Sequence, residues 1–292
     1  MKPYFREMNL KLLTVIERKH LATFGKRLGI AYVVACLFLW IGQRRLMFYP
    51  HRELVAVPSS SPWNMPYREI VIPTASGKLK GWWIPADARR VRNSTPPVVL
   101  FLGGAGGNKS HYLDRVEGLR QLGVSLLLFD YQGYGESRGD FPSETQLYKD
   151  GQAAWNYLTQ QQKIPPQQIF LYGESLGGAI ALDLALKHQQ AAGLIVQSSF
   201  TSMKDMARWK GFGWVFPVDI IVNQKFDSIA KVRSLQIPVL FVHGTTDEVV
   251  PFYMGQRLFA AAPSPKYLHV VPEAGHTKLL RPGKQSYVKA IQ

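Results

Sequence analysis

The sequence predicts an α/β domain: a mostly parallel sheet of eight strands with helices on both faces, a short cap segment and an N-terminal membrane-anchor helix. Three observations carry that expectation. Six short runs are almost wholly apolar: Val98–Leu102, Val124–Phe129, Ile169–Tyr172, Leu194–Val196, Val239–Val242 and Tyr267–Val271. Strands buried on both faces of a parallel sheet need that composition. Segments with helical patterning, among them Glu144–Gln161, Leu176–His188 and Phe252–Ala261, fall between these runs. Near the N-terminus a charge-free stretch, Leu28–Gln43, stands between Lys26-Arg27 and Arg44-Arg45.

The N-terminal element comes first. The 292 residues carry a net charge of +15, and residues 1–52 supply +8 of it. Such a concentration suits an anionic membrane surface. No nucleic-acid motif accompanies it, so no nucleic-acid partner is expected. As a helix, residues 28–43 span about 24 Å against a hydrocarbon core of roughly 30 Å. Snorkelling arginines and local thinning of the bilayer close that gap. A buried core helix has the same pattern. A cleaved signal peptide fits less well, because the basic region is long and no small-x-small site follows. Val33-Val34-Ala35-Cys36 loosely resembles a lipoprotein cleavage site, but the apolar run continues through Leu37-Phe38-Leu39-Trp40. The reading is therefore a basic segment over 1–27, an uncleaved single-pass anchor over 28–43 and a catalytic domain over 44–292. The excess of positive charge before the anchor (+5, against +3 after it) puts the domain on the non-cytoplasmic side. Leu10, Leu13 and Ile16 with Lys11, Arg18 and Lys19 also fit a basic amphipathic helix lying on the membrane.

After the anchor, Arg68–Pro73 and Lys80–Pro85 read as a hairpin about Ala75-Ser76-Gly77. Strand–helix alternation then continues to the end, as one domain with right-handed crossovers requires. The single cysteine, Cys36, excludes an intrachain disulfide framework and a cysteine-based zinc site. Asn93-Ser94-Thr95 and Asn108-Lys109-Ser110 match the glycosylation acceptor pattern.

The chemistry begins at Gly173-Glu174-Ser175-Leu176-Gly177, which fits G-x-S-x-G between the run Ile169–Tyr172 and a good helix. In a strand–turn–helix setting the serine sits on a strained turn with its hydroxyl exposed. A serine hydroxyl needs an imidazole to take its proton, and the imidazole needs an acid to fix its tautomer. The expected chain order is serine, acid, histidine, with the last two on loops after later strands. Asp247 follows Val239–Val242 and His276 follows Tyr267–Val271, so Ser175, Asp247 and His276 are the expected triad. His243 precedes the acid and breaks the order. The oxyanion needs two N–H donors: the amide of Leu176, and one from the Gly103–Gly107 loop after Val98–Leu102, for which Gly104 is the expected residue.

These segments resemble the α/β-hydrolases, in particular the membrane-anchored serine-aminopeptidase-like group and the protein-depalmitoylase branch of that fold. The resemblance is carried by Gly81-Trp82-Trp83-Ile84-Pro85, by Phe129 through Ser137, by Gly173 through Gly178, by His243 through Pro251 and by Arg44 through Pro50. It implies an eight-stranded α/β-hydrolase fold and a serine hydrolase, without identifying a substrate. Where the group has His-Gly-Asn at the oxyanion strand end, this chain has Leu102-Gly103-Gly104; any hydrogen bond of that histidine within the loop is lost.

Two rivals come from other classes. Gly103 through Ser110 nearly matches the phosphate-binding loop G-x-x-x-x-G-K-[ST], and Leu126–Asp130 imitates its magnesium-binding strand, but Asn108 stands where glycine is needed. A catalytically silent, membrane-anchored binding protein is the other. Among hydrolases, the cap-like segment 200–235 narrows the choice. Its Trp209, Phe212, Trp214 and Phe216 suggest an apolar slot for an acyl chain. Its acids, Asp205, Asp219 and Asp227, are not clearly placed to capture a free amine. Ester or thioester hydrolysis is therefore expected ahead of peptide cleavage of the serine-aminopeptidase type, with a small-molecule or acylated substrate and with no metal or organic cofactor.

Overall fold

The computed structural model describes residues 2–91, 95–277, 279 and 290–291, with the backbone alone over 2–19. Helix α1 (Lys2–Met47) is continuous, so the basic segment and the apolar run expected as separate pieces share one helix. Within it His20–Met47 is long and apolar enough to cross a membrane. The side chains of the amphipathic reading at 10–19 lie outside the described residues. Past Met47 the chain forms strand β1 (Tyr49–Pro50), which runs parallel to β5 (Gly106–Gly107).

The main sheet has eight strands: β2 (Arg68–Thr74), β3 (Gly77–Ile84), β4 (Val98–Leu102), β6 (Ser125–Phe129), β7 (Ile169–Glu174), β8 (Gly193–Gln197), β9 (Val239–Gly244) and β10 (Lys266–Val271). Their spatial order is β10-β9-β8-β7-β4-β6-β3-β2. The expected hairpin β2–β3 is antiparallel and β3 pairs antiparallel with β6; the remaining pairs are parallel. The uniformly apolar runs are central because side chains of opposite parity feed two cores. On β4, Leu100 and Leu102 pack on one face with Leu171, Ala179 and Ile180, while Val99 and Phe101 pack on the other with Val116, Leu119 and Val271.

Helices α2 (Leu113–Arg120), α3 (Glu144–Asn156), α4 (Leu176–Lys187) and α8 (Phe252–Ala261) provide the layers. The helix expected over 144–161 ends its regular part at Asn156, and a wider turn follows over Tyr157–Gln161. The cap consists of α5 (Met203–Trp209), a turn at Phe212–Trp214, α6 (Val218–Ile221) and α7 (Ser228–Val232).

Register decides where the loops emerge. Leu102 pairs with Gly173, Glu174 with Gln197, Gln197 with Val242, and Gly244 with Val271. The C-terminal ends of β4, β7, β8, β9 and β10 therefore lie along one edge, which is where ligands bind in open parallel sheets.

Candidate active site

Ser175 is the residue between β7 and α4, with φ 55° and ψ −119°. That backbone costs about 1–3 kcal/mol for a residue with a Cβ and survives only where its surroundings over-determine it. The flanking glycines supply the constraint. A Cβ on Gly177 would stand 2.0 Å from the Leu102 carbonyl oxygen, and one on Gly173 would stand 2.3 Å from the Gly177 carbonyl oxygen. The Ser175 amide donates to the Gln197 carbonyl at 2.8 Å, and its own carbonyl accepts the Gly178 amide at 3.0 Å.

Asp247 and His276 meet at the same edge. Asp247 Oδ1 accepts the amides of Val249 at 2.9 Å and Val250 at 2.8 Å, while Oδ2 faces His276 Nδ1 at 2.8 Å. Burial works to raise this carboxyl, but hydrogen bonds from His243, His276 and the Val250 amide outweigh it and hold it well below the usual carboxylate range. In the neutral tautomer whose Nδ1 donates to this carboxylate, His276 Nε2 is an acceptor. His243, excluded from the triad by order, takes a supporting place: its Nε2 is 3.0 Å from the Val250 carbonyl and 3.3 Å from Asp247 Oδ2.

The chain after β8 fastens the loops that carry Ser175 and His276. Ser199 Oγ donates to the Ser175 carbonyl at 2.8 Å, and Ser198 Oγ donates to the His276 carbonyl at 3.4 Å. Beneath them lies a buried ion pair. Arg115 Nε stands 2.5 Å from Glu174 Oε2, and Gln197 Nε2 donates to the same oxygen at 3.0 Å. Arg115 also reaches the Thr277 carbonyl at 3.3 Å, one residue past His276. Burial raises the Glu174 carboxyl and Arg115 draws it back down. A buried glutamate inside G-x-S-x-G was visible in the sequence; its arginine, 59 positions upstream, was not.

The oxyanion loop differs from expectation at one residue. The Gly104 amide donates to the Tyr112 hydroxyl at 2.7 Å, so it does not point at Ser175. Tyr112 stands there because its ring packs on Phe101 of β4, with centroids 5.1 Å apart. Among the described residues, the amides of Ala105 and Leu176 have no hydrogen-bond acceptor, and both residues line the cavity that contains Ser175. Main-chain pairing holds the loop: the Ala105 carbonyl accepts the Tyr49 amide at 3.0 Å and the Tyr134 hydroxyl at 2.8 Å. The loss of the histidine expected at Leu102 is thus met by tyrosines and by β1.

That cavity has a volume of about 440 Å³, within the range of small-molecule sites. Phe212 and Phe216 line it, as expected, together with Met203 and Met206. Trp209 and Trp214 do not. The turn at Phe212–Trp214 carries Trp214 outward to 93% exposure, and Trp209 ends α5 under the Lys210 ammonium at 4.4 Å. The other wall comes from helix α1, through Leu39, Gln43, Leu46 and Met47. The helix expected as a membrane anchor thus also forms a wall of the cavity. A larger cavity of about 910 Å³ lies at the opposite end of the sheet, beside Pro238 and Ile291, away from Ser175.

The features behind the rival readings serve the fold. Lys109 Nζ is buried between Asp130 at 2.8 Å and Glu136 at 3.0 Å, so it is not available to a phosphate. Asn108 is buried, with Nδ2 donating to the Glu53 carbonyl at 2.6 Å, which leaves no free amide for a glycan. Asn93 and Ser94 of the other acceptor pattern lie outside the described residues. Among the described residues no group of three or more His, Cys, Asp or Glu is placed to hold a metal ion.

Comparison with known proteins agrees with the fold. Residues 94–220 match the family model described as serine aminopeptidase, S33. An uncharacterised protein of Mycobacterium tuberculosis is 37% identical over 82% of each chain. Protein bem46 of Schizosaccharomyces pombe is 30% identical, covering 84% of this chain and 83% of its own. Among solved structures, a Pyrococcus furiosus esterase superposes with a TM-score of 0.64 at 20% identity, over 84% of this chain and 95% of that one. An alpha-beta hydrolase from Vibrio vulnificus gives 0.62 at 25% identity, over 77% and 81%.

Proposed function

This chain belongs to the α/β-hydrolase family that includes Protein bem46, and from that premise we propose that it is a membrane-anchored serine hydrolase cleaving carboxylic ester or thioester bonds through an acyl-enzyme. The observation that carries the reading is the 2.8 Å bond from His276 Nδ1 to a carboxylate held ionised, at the sheet edge that also presents Ser175 on its strained turn.

In the proposed reaction His276 Nε2 takes the Ser175 proton as Oγ bonds to the substrate carbonyl carbon. Negative charge gathers on the carbonyl oxygen, where the amides of Leu176 and Ala105 receive it. Collapse breaks the bond to the leaving alcohol or thiol, which takes the proton from His276. Water then repeats the cycle: its oxygen bonds to the acyl carbon as His276 removes its proton, the acyl–serine bond breaks, His276 returns that proton to Ser175 Oγ, and the acid product leaves. Asp247 remains ionised throughout and stabilises the imidazolium. The N-terminal helix fixes the enzyme to the membrane, with the catalytic domain on the non-cytoplasmic side.

Ester and thioester substrates are favoured over peptides by the cavity wall, which consists of Met203, Met206, Phe212, Phe216 and the helix α1 residues. The acids expected to be poor amine traps are engaged elsewhere: Asp205 and Asp219 pair with Arg208, and Asp227 accepts the Ala230 amide. The test compares wild type with Ser175→Ala on nitrophenyl esters and on labelling by a fluorophosphonate. Turnover and labelling are expected to vanish in the variant. Wild-type turnover no greater than that of Ser175→Ala would instead support a silent binding protein.

A further inference from the structure

Helix α1 and the cap form a single body around the cavity. Leu39, Gln43 and Met47 on the helix oppose Met206, Phe216 and Ile221 of the cap across it. Gln43, the one strongly polar residue of the apolar run, explains the join. Its Nε2 donates to the Ile221 carbonyl at 3.0 Å, and its Oε1 accepts the amides of Asn223 at 2.9 Å and Gln224 at 3.2 Å. Further up the helix, Tyr32 donates to the Val215 carbonyl at 2.9 Å and stacks on Phe216 with centroids 6.0 Å apart.

The two contacts are separated by about 16 Å along the helix axis, about half of a hydrocarbon core roughly 30 Å thick. The cap therefore runs beside the apolar part of the helix rather than stopping at its end. Its exposed apolar side chains include Trp214, Val215 and Ile220, at 93%, 59% and 78% exposure, next to an exposed apolar helix, while the exposed charges Arg208 and Asp219 pair with each other. A surface of this kind, shared by two elements, marks a membrane or partner contact. The polar groups at the junction are satisfied within the protein, as lipid requires.

We propose that the cap is immersed with helix α1 in one leaflet, and that the cavity takes the acyl chain of a membrane-resident ester or thioester that passes between helix and cap. The proposal rests on the hydrolase reading and names its substrate class. The chain stays in apolar surroundings from the bilayer to Ser175, and only the scissile group meets the polar amides of Leu176 and Ala105. Helix α1 is then a wall of the acyl site and sets its length and width, in addition to holding the protein at the membrane.

The test uses the full chain in phosphatidylcholine–phosphatidylglycerol vesicles, with a palmitoyl ester embedded in them and an acetyl ester in solution. Leu39→Trp narrows the cavity from the helix side and is expected to lower the palmitoyl-to-acetyl rate ratio roughly tenfold or more. Trp214→Ser with Ile220→Ser changes the outward face alone. It is expected to slow the vesicle-embedded ester while leaving acetyl ester turnover unchanged. Quenching of Trp214 emission by brominated lipid, taken as the difference between wild type and Trp214→Phe, reads immersion without catalysis. An unchanged ratio in Leu39→Trp, or no difference in quenching, overturns the proposal. Absence of Ser175-dependent turnover on either ester overturns the hydrolase reading instead, and the quenching result still decides immersion.

Discussion

Asp247→Asn exchanges a carboxylate for an amide of almost the same shape, so its consequence can be worked out atom by atom. Oδ1 of Asp247 is committed to two main-chain donors, Val249 at 2.9 Å and Val250 at 2.8 Å. Asparagine must keep its oxygen there, because turning the amide round would aim two N–H groups at two others. Its NH₂ then occupies the place of Oδ2 and points at His276 Nδ1, which now has to accept. The imidazole proton moves to Nε2, the atom that should take the proton of Ser175. Loss of the correct tautomer by this substitution lowers kcat about ten-thousandfold in a Ser-His-Asp hydrolase, equivalent to about 5.4 kcal/mol at about 1.36 kcal/mol per decade. Steady-state hydrolysis of a nitrophenyl ester reads the effect, with circular dichroism to show that the fold persists. A fall of less than tenfold in a folded variant would refute the assignment of Asp247 as the orienting acid. Stability adds a second signature. A carboxyl depressed in the folded state contributes stability that is complete above its unfolded value near pH 4 and is lost as the pH falls further. The wild type should therefore lose more stability than Asp247→Asn between about pH 4 and pH 2, measured by denaturant melts.

Two further outcomes follow from the surroundings of the site. Glu174→Gln removes the carboxylate that pairs with Arg115 beneath the elbow and should lower stability by about 1–3 kcal/mol, read from thermal or urea unfolding; an unchanged midpoint would refute a stabilising role for the pair. Tyr112→Phe removes the acceptor of the Gly104 amide and should cost about 1–2 kcal/mol of stability while slowing ester turnover as the loop that carries Ala105 loosens. Faster turnover in Tyr112→Phe would return Gly104 to the role of oxyanion donor.

The strands were legible because their composition and their position in the sheet have one cause. Runs such as Val98–Leu102 and Leu194–Val196 must be apolar on both sides when cores lie on both faces of the sheet. The chain order of Ser175, Asp247 and His276 was legible for a related reason: parallel register delivers consecutive strand ends to one edge. What periodicity could not convey was the direction of individual groups at that edge. The Gly104 amide turns to Tyr112 because an aromatic ring on the neighbouring face offers it an oxygen, and nothing local to the glycines encodes that offer.

Sequence by itself determined the elements, the elbow, the order of the three site residues and the apolar helix at the N-terminus, because each depends on side chains close together in the chain or on a repeating burial pattern. Tertiary structure alone decided that Arg115 underlies the elbow, that Ser198 and Ser199 hold the loops of His276 and Ser175, that Trp214 faces outward and that Leu39 and Gln43 face the cavity. Each of these joins residues tens to nearly two hundred positions apart. Their pairing is set by how α2, the cap and helix α1 pack on the finished sheet, a geometry that exists only after the chain has closed on itself.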